Sequence, residues 1–296
     1  MSTEPSNTTP AAAWAGVLDD ACLLPPRETG VHEATAAHAR YRQGQYGDLV
    51  GSLVVPDQRL PLIRGFTHPL TVVITGGAGQ VAGPAGLAAR LGLQLAAIQI
   101  ALRDLDDLAQ NARRVVAAVQ AARDEGVLGE EPQVYVEIPS PVASGGPSAG
   151  WPSTGWPSTG WLRAADEVAA AELRLLLRTT GTEERELAAW IEAALDRETP
   201  FACTGLVRAV RHAGDEGGAG DEHGFLNVLL ATRHAFDGAG IEDVTAMLAD
   251  RSTESLLLAA REAGEVGMAG ARRWFTSFGA GSIEETVADL RSLGLL

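Results

Sequence analysis

A parallel α/β architecture, closing as a single-domain (β/α)8 barrel of the TIM type behind short N-terminal helices, is the fold class this sequence predicts. An open doubly wound parallel sheet is the alternative. Three observations lead there. Short apolar runs alternate with longer helix-like segments along the chain. Several of those runs are continuously apolar, as strands covered on both faces require. The length of 296 residues, with a strand–helix unit as the last element, suits closure into a barrel.

The strand-like runs are DLVGSLVVP at 48–56, PLTVVITGG at 69–77, LQLAAIQIAL at 93–102, PQVYVEIP at 132–139, ELRLLLRTTG at 172–181, PFACTGL at 200–206 and RRWFTSFGAG at 272–281. Apolar residues at helical spacing, with breakers at the ends, predict helices over 30–44, 84–91, 105–125, 162–171, 183–197, 224–237, 241–250 and 283–293. Parallel strands joined by helices need right-handed crossovers. The segment AAAWAGVLDDACLL reads as one more N-terminal helix, stopped by Pro25 and Pro26. Seven strands are then visible, and the eighth is expected within 207–260.

GGAGQVAG at 76–83 follows a strand, but its glycines are out of register with a dinucleotide-binding turn, and Gln99 and Ala101 stand where the next strand would carry an acid. Residues 1–12 read as a disordered polar tail, and 13–296 as the barrel. The run 140–161 holds a tandem GWPST repeat that places Trp151, Trp156 and Trp161 five apart; it reads as a loop. Those tryptophans would either stack on a flat or sugar-like ligand or reflect simple repeat expansion. The acidic, glycine-rich run at 212–223 is a second loop.

Composition narrows the chemistry. All 23 basic residues are arginine, so no lysine is present for a Schiff base, for a pyridoxal phosphate aldimine or for a phosphate-binding loop. A net charge of −15 opposes binding to nucleic acid or to anionic lipid. No apolar run reaches the roughly 18 residues of a membrane span, and the polar start lacks the order of a signal peptide. With only two cysteines, the chain reads as cytoplasmic, with a small anionic molecule as its ligand and no cofactor. Homo-oligomerisation is compatible with the sequence.

Barrel enzymes place their chemistry at the C-terminal ends of the strands. Reading those ends yields Gly76 and Gly77, Gln99, Glu137, Arg178 with Thr179 and Thr180, Cys203 with Thr204 and Gly205, and Thr276 with Ser277. Glu137 is the one carboxylate in an apolar strand run and suits general acid–base work; pairing with a nearby arginine is the structural alternative. Arg178, beside hydroxyls and glycines, is a candidate anion clamp, or the partner of such a carboxylate. Thr179, Thr204, Gly205 and Ser277 are candidate substrate contacts. Cys203, inside an apolar run, reads as a buried residue and not as a nucleophile.

His212 and His223 flank the acidic loop and are candidate proton carriers. His223 and Asn227 lie one turn apart, which could aim both at the barrel mouth. Asp215, Glu216, Asp221 and Glu222 lie between or beside those histidines, but their spacing matches no metal-ligand pattern and no metal is expected. Ser282 ahead of the last helix is either part of an anion site or a capping residue with Glu285.

The runs LDDACLLPP, LRLLLRTTG, PFACTGLVRAVRH, HGFLNVLLA and WFTSFGAGSIEETVADLRSLGLL resemble, in order, an uncharacterised family of bacterial proteins over nearly the whole chain. In that family a lysine stands at the position of Leu176 and another at that of Ala202. The lysine-bearing form of the sixth visible strand is similar to the lysine-Thr-x-x-Gly strand of class I aldolases such as deoxyribose-phosphate aldolase. Arg178, Thr179, Gly181, Thr204, His212, His223, Gly224 and Asn227 match the family pattern; the two lysines and a paired histidine run do not. The resemblance therefore implies a barrel without imine chemistry. The polar groups that end otherwise apolar strands point to a lyase or isomerase working by acid–base catalysis on a small anionic or oxygen-rich metabolite, in specialised metabolism; the missing lysines and the tryptophan loop point instead to a catalytically silent barrel acting as a ligand-binding or assembly protein.

Overall fold

The computed structural model describes residues 13–139, 157–212 and 222–296. Over them run eight strands, β1 (Leu18–Asp20), β2 (Val50–Pro56), β3 (Leu70–Ile74), β4 (Leu95–Ala101), β5 (Gln133–Glu137), β6 (Arg174–Arg178), β7 (Phe201–Thr204) and β8 (Phe275–Ala280). Each pairs in parallel with the next, and β8 pairs with β1, so the sheet closes. Closure is made by Leu18 opposite Phe278, Asp19 opposite Gly279 and Asp20 opposite Ala280. The helices are α1 (Val31–Gln43), α2 (Ala82–Arg90), α3 (Leu108–Asp124), α4 (Thr159–Ala170), α5 (Glu184–Asp196), α6 (Phe225–Phe236), α7 (Ile241–Ala249), α8 (Thr253–Ala271, kinked at Gly264) and α9 (Ile283–Ser292). The (β/α)8 TIM-type barrel is thus the fold, and the open sheet is set aside.

The period of two along each strand divides the barrel into two environments. Outward residues such as Leu53, Val72, Ile98, Val136, Leu175, Phe201 and Phe278 are buried in one apolar core with the helices. Aromatic rings fill much of it: Phe225 stacks on Phe278 at 4.8 Å, and Trp161 lies parallel to Trp190 at 5.8 Å. Inward residues form a second, small apolar cluster of Ala97, Tyr135, Leu176 and Ala202. Their next inward neighbours toward the strand ends, two residues on, are Gln99, Glu137, Arg178 and Thr204.

Two sequence expectations are corrected. The segment read as a first helix contains β1, so the helical segments ahead of β2 are α1 and a short 3-10 turn at Gly47–Leu49. The eighth strand is this Leu18–Asp20, and 207–260 supplies α6, α7 and the start of α8. The spacing of Trp14, Val17, Leu18 and Leu23 imitates a helix, whereas ladders on both sides impose the extended form on a segment too short to show alternation. Trp161, counted above as a loop residue, is fully buried on α4, and its indole nitrogen donates to the Ile138 carbonyl. It is core and not ligand platform. The 1–12 tail and most of the 140–161 loop, Trp151 and Trp156 included, lie outside the described residues. Among the described residues no helix is long and apolar enough to cross a membrane.

β1 is held from outside by a buried polar contact. His38 on α1 lies 3.1 Å, Nδ1 to Oδ2, from Asp20, both side chains being almost wholly buried. Asp20 also accepts from the Cys22 amide, and burial with the neighbouring Asp20 pushes the Cys22 thiol up to about 12. Truncating one member of a buried pair leaves the other desolvated and unpaired. His38→Ala is therefore expected to lower stability by about 3 kcal/mol in urea denaturation, well beyond a surface substitution such as His32→Ala.

Candidate functional site

Residues that face one another across parallel ladders project to the same side of the sheet. Arg178 on β6 lies in register with Thr204 on β7, Thr204 with Gly279 on β8, and Gly279 with Asp19 on β1. This row runs along the inner wall near the strand ends, one step above the apolar layer of Tyr135, Leu176 and Ala202. Leu176 and Ala202, where the resembling family carries lysines, point into the barrel and pack there as apolar filling.

Glu137, at the end of β5, meets Arg178 from the adjacent strand. Arg178 donates from Nε to Oε1 at 2.7 Å and from Nη2 to Oε2 at 2.9 Å, a two-pronged ion pair. The glutamate side chain is 10% exposed and the arginine 49%, so the carboxylate is sunk and the guanidinium opens to solvent. Hydrogen bonding to Glu137 raises the Arg178 pKa against the opposing effect of burial.

Beside them, Thr179 donates its hydroxyl to the Thr204 carbonyl at 2.9 Å, and its amide donates to the same oxygen. Thr204 Oγ1 is buried without a hydrogen-bond partner among the described residues. Gly205 has φ +87°, and a side chain there would collide with Thr180, so this turn needs glycine. Cys203 points outward into the core, and burial pushes its thiol far above the usual range.

The other site candidates gather elsewhere, around the connection from β7 to α6. His223 is buried; its Nε2 faces the Thr182 carbonyl at 2.8 Å and must donate, so Nδ1, 3.2 Å from Arg211 Nη1, accepts. Both ring nitrogens are thereby engaged. Asn227 accepts from the Arg211 amide and donates to the carbonyls of Met247 and Asp250. Its amide joins three segments. His212 pairs with Glu222 through two backbone hydrogen bonds and a 3.4 Å side-chain contact. Asp215, Glu216 and Asp221 lie outside the described residues. Ser282 caps α9, accepting from the Glu285 amide at 3.3 Å.

Asp19 was missed by the sequence reading because its strand was. Its carboxylate oxygen Oδ1 accepts from Ser52 Oγ at 2.7 Å and from the Ser52 amide at 2.9 Å. Thr71 Oγ1 lies 2.6 Å behind the Ser52 hydroxyl. Burial raises the Asp19 pKa; hydrogen bonds from Ser277 and Ser52, and the charge of Arg272, oppose this without cancelling it. Ser277, a predicted contact, thus belongs to this group on β1, β2, β3 and β8. Only the acidic pair in LDD, four residues before Leu23 and Leu24, could have hinted at it.

A hollow of ≈ 430 Å³ lies on the rim of the mouth, lined by Leu105, Asp107, Arg113, Pro139, Ser158 and Arg163 at the starts of α3 and α4. No family model matches the chain, and no curated protein matches it. Among solved structures it is similar to the N-terminal domain of a "putative aldolase" from Bacteroides vulgatus, at 12% identity over 96% of this chain and 85% of that one, with a TM-score of 0.34. The assignment of fold rests on the strand pairings themselves.

A carboxyl whose folded-state pKa lies above its ordinary 3.8 keeps its proton longer when folded. The stability linked to that proton is complete below 3.8 and declines as pH rises through the folded-state value. Asp19→Asn cannot ionise, so its stability relative to the native chain should climb between pH 4 and pH 8 in urea denaturation. A constant offset across that range would contradict the raised pKa.

Proposed function

We propose that the protein is a barrel enzyme of the lyase or isomerase type, acting on a small anionic, oxygen-rich metabolite without a Schiff base. Arg178 anchors the anion and Glu137 moves the proton. The observation that carries this reading is the pair itself: a sunken carboxylate and a half-open guanidinium, joined at the strand ends where barrels hold substrates. Thr204, with an unpartnered hydroxyl beside them, positions a substrate oxygen.

The two residues work by exchange. Glu137 already occupies one edge of the guanidinium, as a substrate carboxylate would. An incoming anion competes for that edge, takes over the positive charge and leaves Glu137 without its counter-ion. The freed carboxylate oxygens then face the bound molecule and can take its proton. Binding of the anion and readiness for proton transfer are then one event. The absence of lysine throughout the chain supports acid–base chemistry over side-chain imine formation. The histidines fall outside this scheme, because the engaged ring nitrogens of His223 and the pairing of His212 with Glu222 fit a role in shaping the β7–α6 connection.

A second reading, a silent barrel that binds a ligand or a partner, is favoured by one observation. The inner layer formed by Leu176, Ala202, Tyr135 and Ala97 is apolar and fills the barrel below the strand ends. Such a barrel would bind without turnover.

Calorimetric titration with small carboxylates and phosphate esters tests the proposal. Arg178→Ala should weaken binding of the anion by about ten- to a hundredfold, as expected for charged hydrogen bonds. Glu137→Gln should strengthen it, since the competing charge is gone, while abolishing conversion of any acid that the native protein turns over. Unchanged affinity in Arg178→Ala would overturn the clamp.

A further inference from the structure

The register row Arg178–Thr204–Gly279–Asp19 contains a vacancy at its third position. Gly279 has no side chain, and a methyl group built on it would meet Ala21 Cβ at 3.4 Å and, its chain neighbours aside, no other described atom within 4 Å. On one side of this space is Thr204, whose Oγ1 lacks a partner. On the other is Asp19, whose Oδ1 takes both Ser52 bonds and whose carboxyl Ser277 also hydrogen-bonds. The layer below is apolar on β4 to β7 but carries Ser277 on β8, opposite Ala202, and the groups around the space are hydroxyls and a carboxyl.

We propose that this space is a hydroxyl-recognition subsite, which makes the substrate class a small hydroxy carboxylic acid: carboxylate on Arg178, hydroxyl between Thr204 and Asp19. The inference rests on the anion reading above and extends it by naming the second functional group. A carboxylate is preferred to a phosphate because the guanidinium edge is already matched to one, Glu137, at 2.7 and 2.9 Å. Gly279 stands two strands from Arg178, about 10 Å along the wall. The reach of the Arg178 side chain shortens that to the span of roughly three or four carbon atoms. Thr204 Oγ1 can donate to or accept from a hydroxyl. The raised pKa of Asp19 adds the same versatility, since a protonated carboxyl donates as well as accepts.

The test is a calorimetric comparison of propionate, 3-hydroxypropionate and glycerate on the full chain. The hydroxylated acids are expected to bind about tenfold more tightly than propionate, the value of one well-placed hydrogen bond or slightly more. Gly279→Ala should remove that preference while leaving propionate affinity unchanged, since the added methyl makes an ordinary 3.4 Å contact with Ala21; Thr204→Val should also remove the preference. Equal affinity for all three acids, still lost in Arg178→Ala, would overturn the hydroxyl subsite and leave the anion clamp standing. Failure of all three acids to bind would overturn the clamp and this inference together.

Discussion

Three residues, Leu18–Asp20, close the sheet, and the rest of the molecule depends on the ladders they make on both sides. Without them β2 and β8 would be free edges, and the inner faces of the other seven strands would line no closed cavity. Parallel pairing also fixes which way each side chain points, because a shift of one residue would exchange the inner and outer sets. The outer set is apolar and packs against helices. The inner set is mixed, and its polar members lie toward the strand ends. Chemistry and stability are thus separated by the strand period.

That separation explains why the mouth can hold charge at all. An ion pair beneath the helical layer would face full desolvation, whereas Glu137 and Arg178 share a site that is closed below by Tyr135, Leu176 and Ala202 and open above at the guanidinium. Asp19 stands on β1, four strands from β5 in an eight-strand ring, so the two carboxylates of the mouth belong to opposite walls. One is held by an arginine, the other by hydroxyls and an amide. Different partners suit different tasks, and this asymmetry is what makes the mouth a centre for proton transfer and oxygen recognition in the functional reading offered above.

Legibility of the sequence tracked the length of each pattern. Runs such as LTVVI and LAAIQIA are long enough for their apolar character to exclude a solvent-facing role, and they form β3 and β4. LDD is not, and its neighbours Trp14, Val17, Leu18 and Leu23 fall at helical spacing by coincidence. Glu137 and Arg178 stood out as charges within apolar runs, and the ladder between β5 and β6 brings them together. For His223 and Asn227 the one-turn spacing was read correctly as a shared helix start, but its direction was not in the pattern; their bonds go to Thr182, Arg211, Met247 and Asp250.

From the sequence by itself follow the alternation of strands and helices, the lack of lysine among the 296 residues, and the short roster of charged residues within apolar runs. These are local properties, set by the types of residue and their spacing along the chain. Tertiary structure alone decided the identity of the closing strand, the partnership of Asp19 with Ser52 and Ser277, and the open place beside Gly279. Each of those arises from residues distant in sequence and adjacent only through strand register. Register is a property of paired strands, and no single strand carries it.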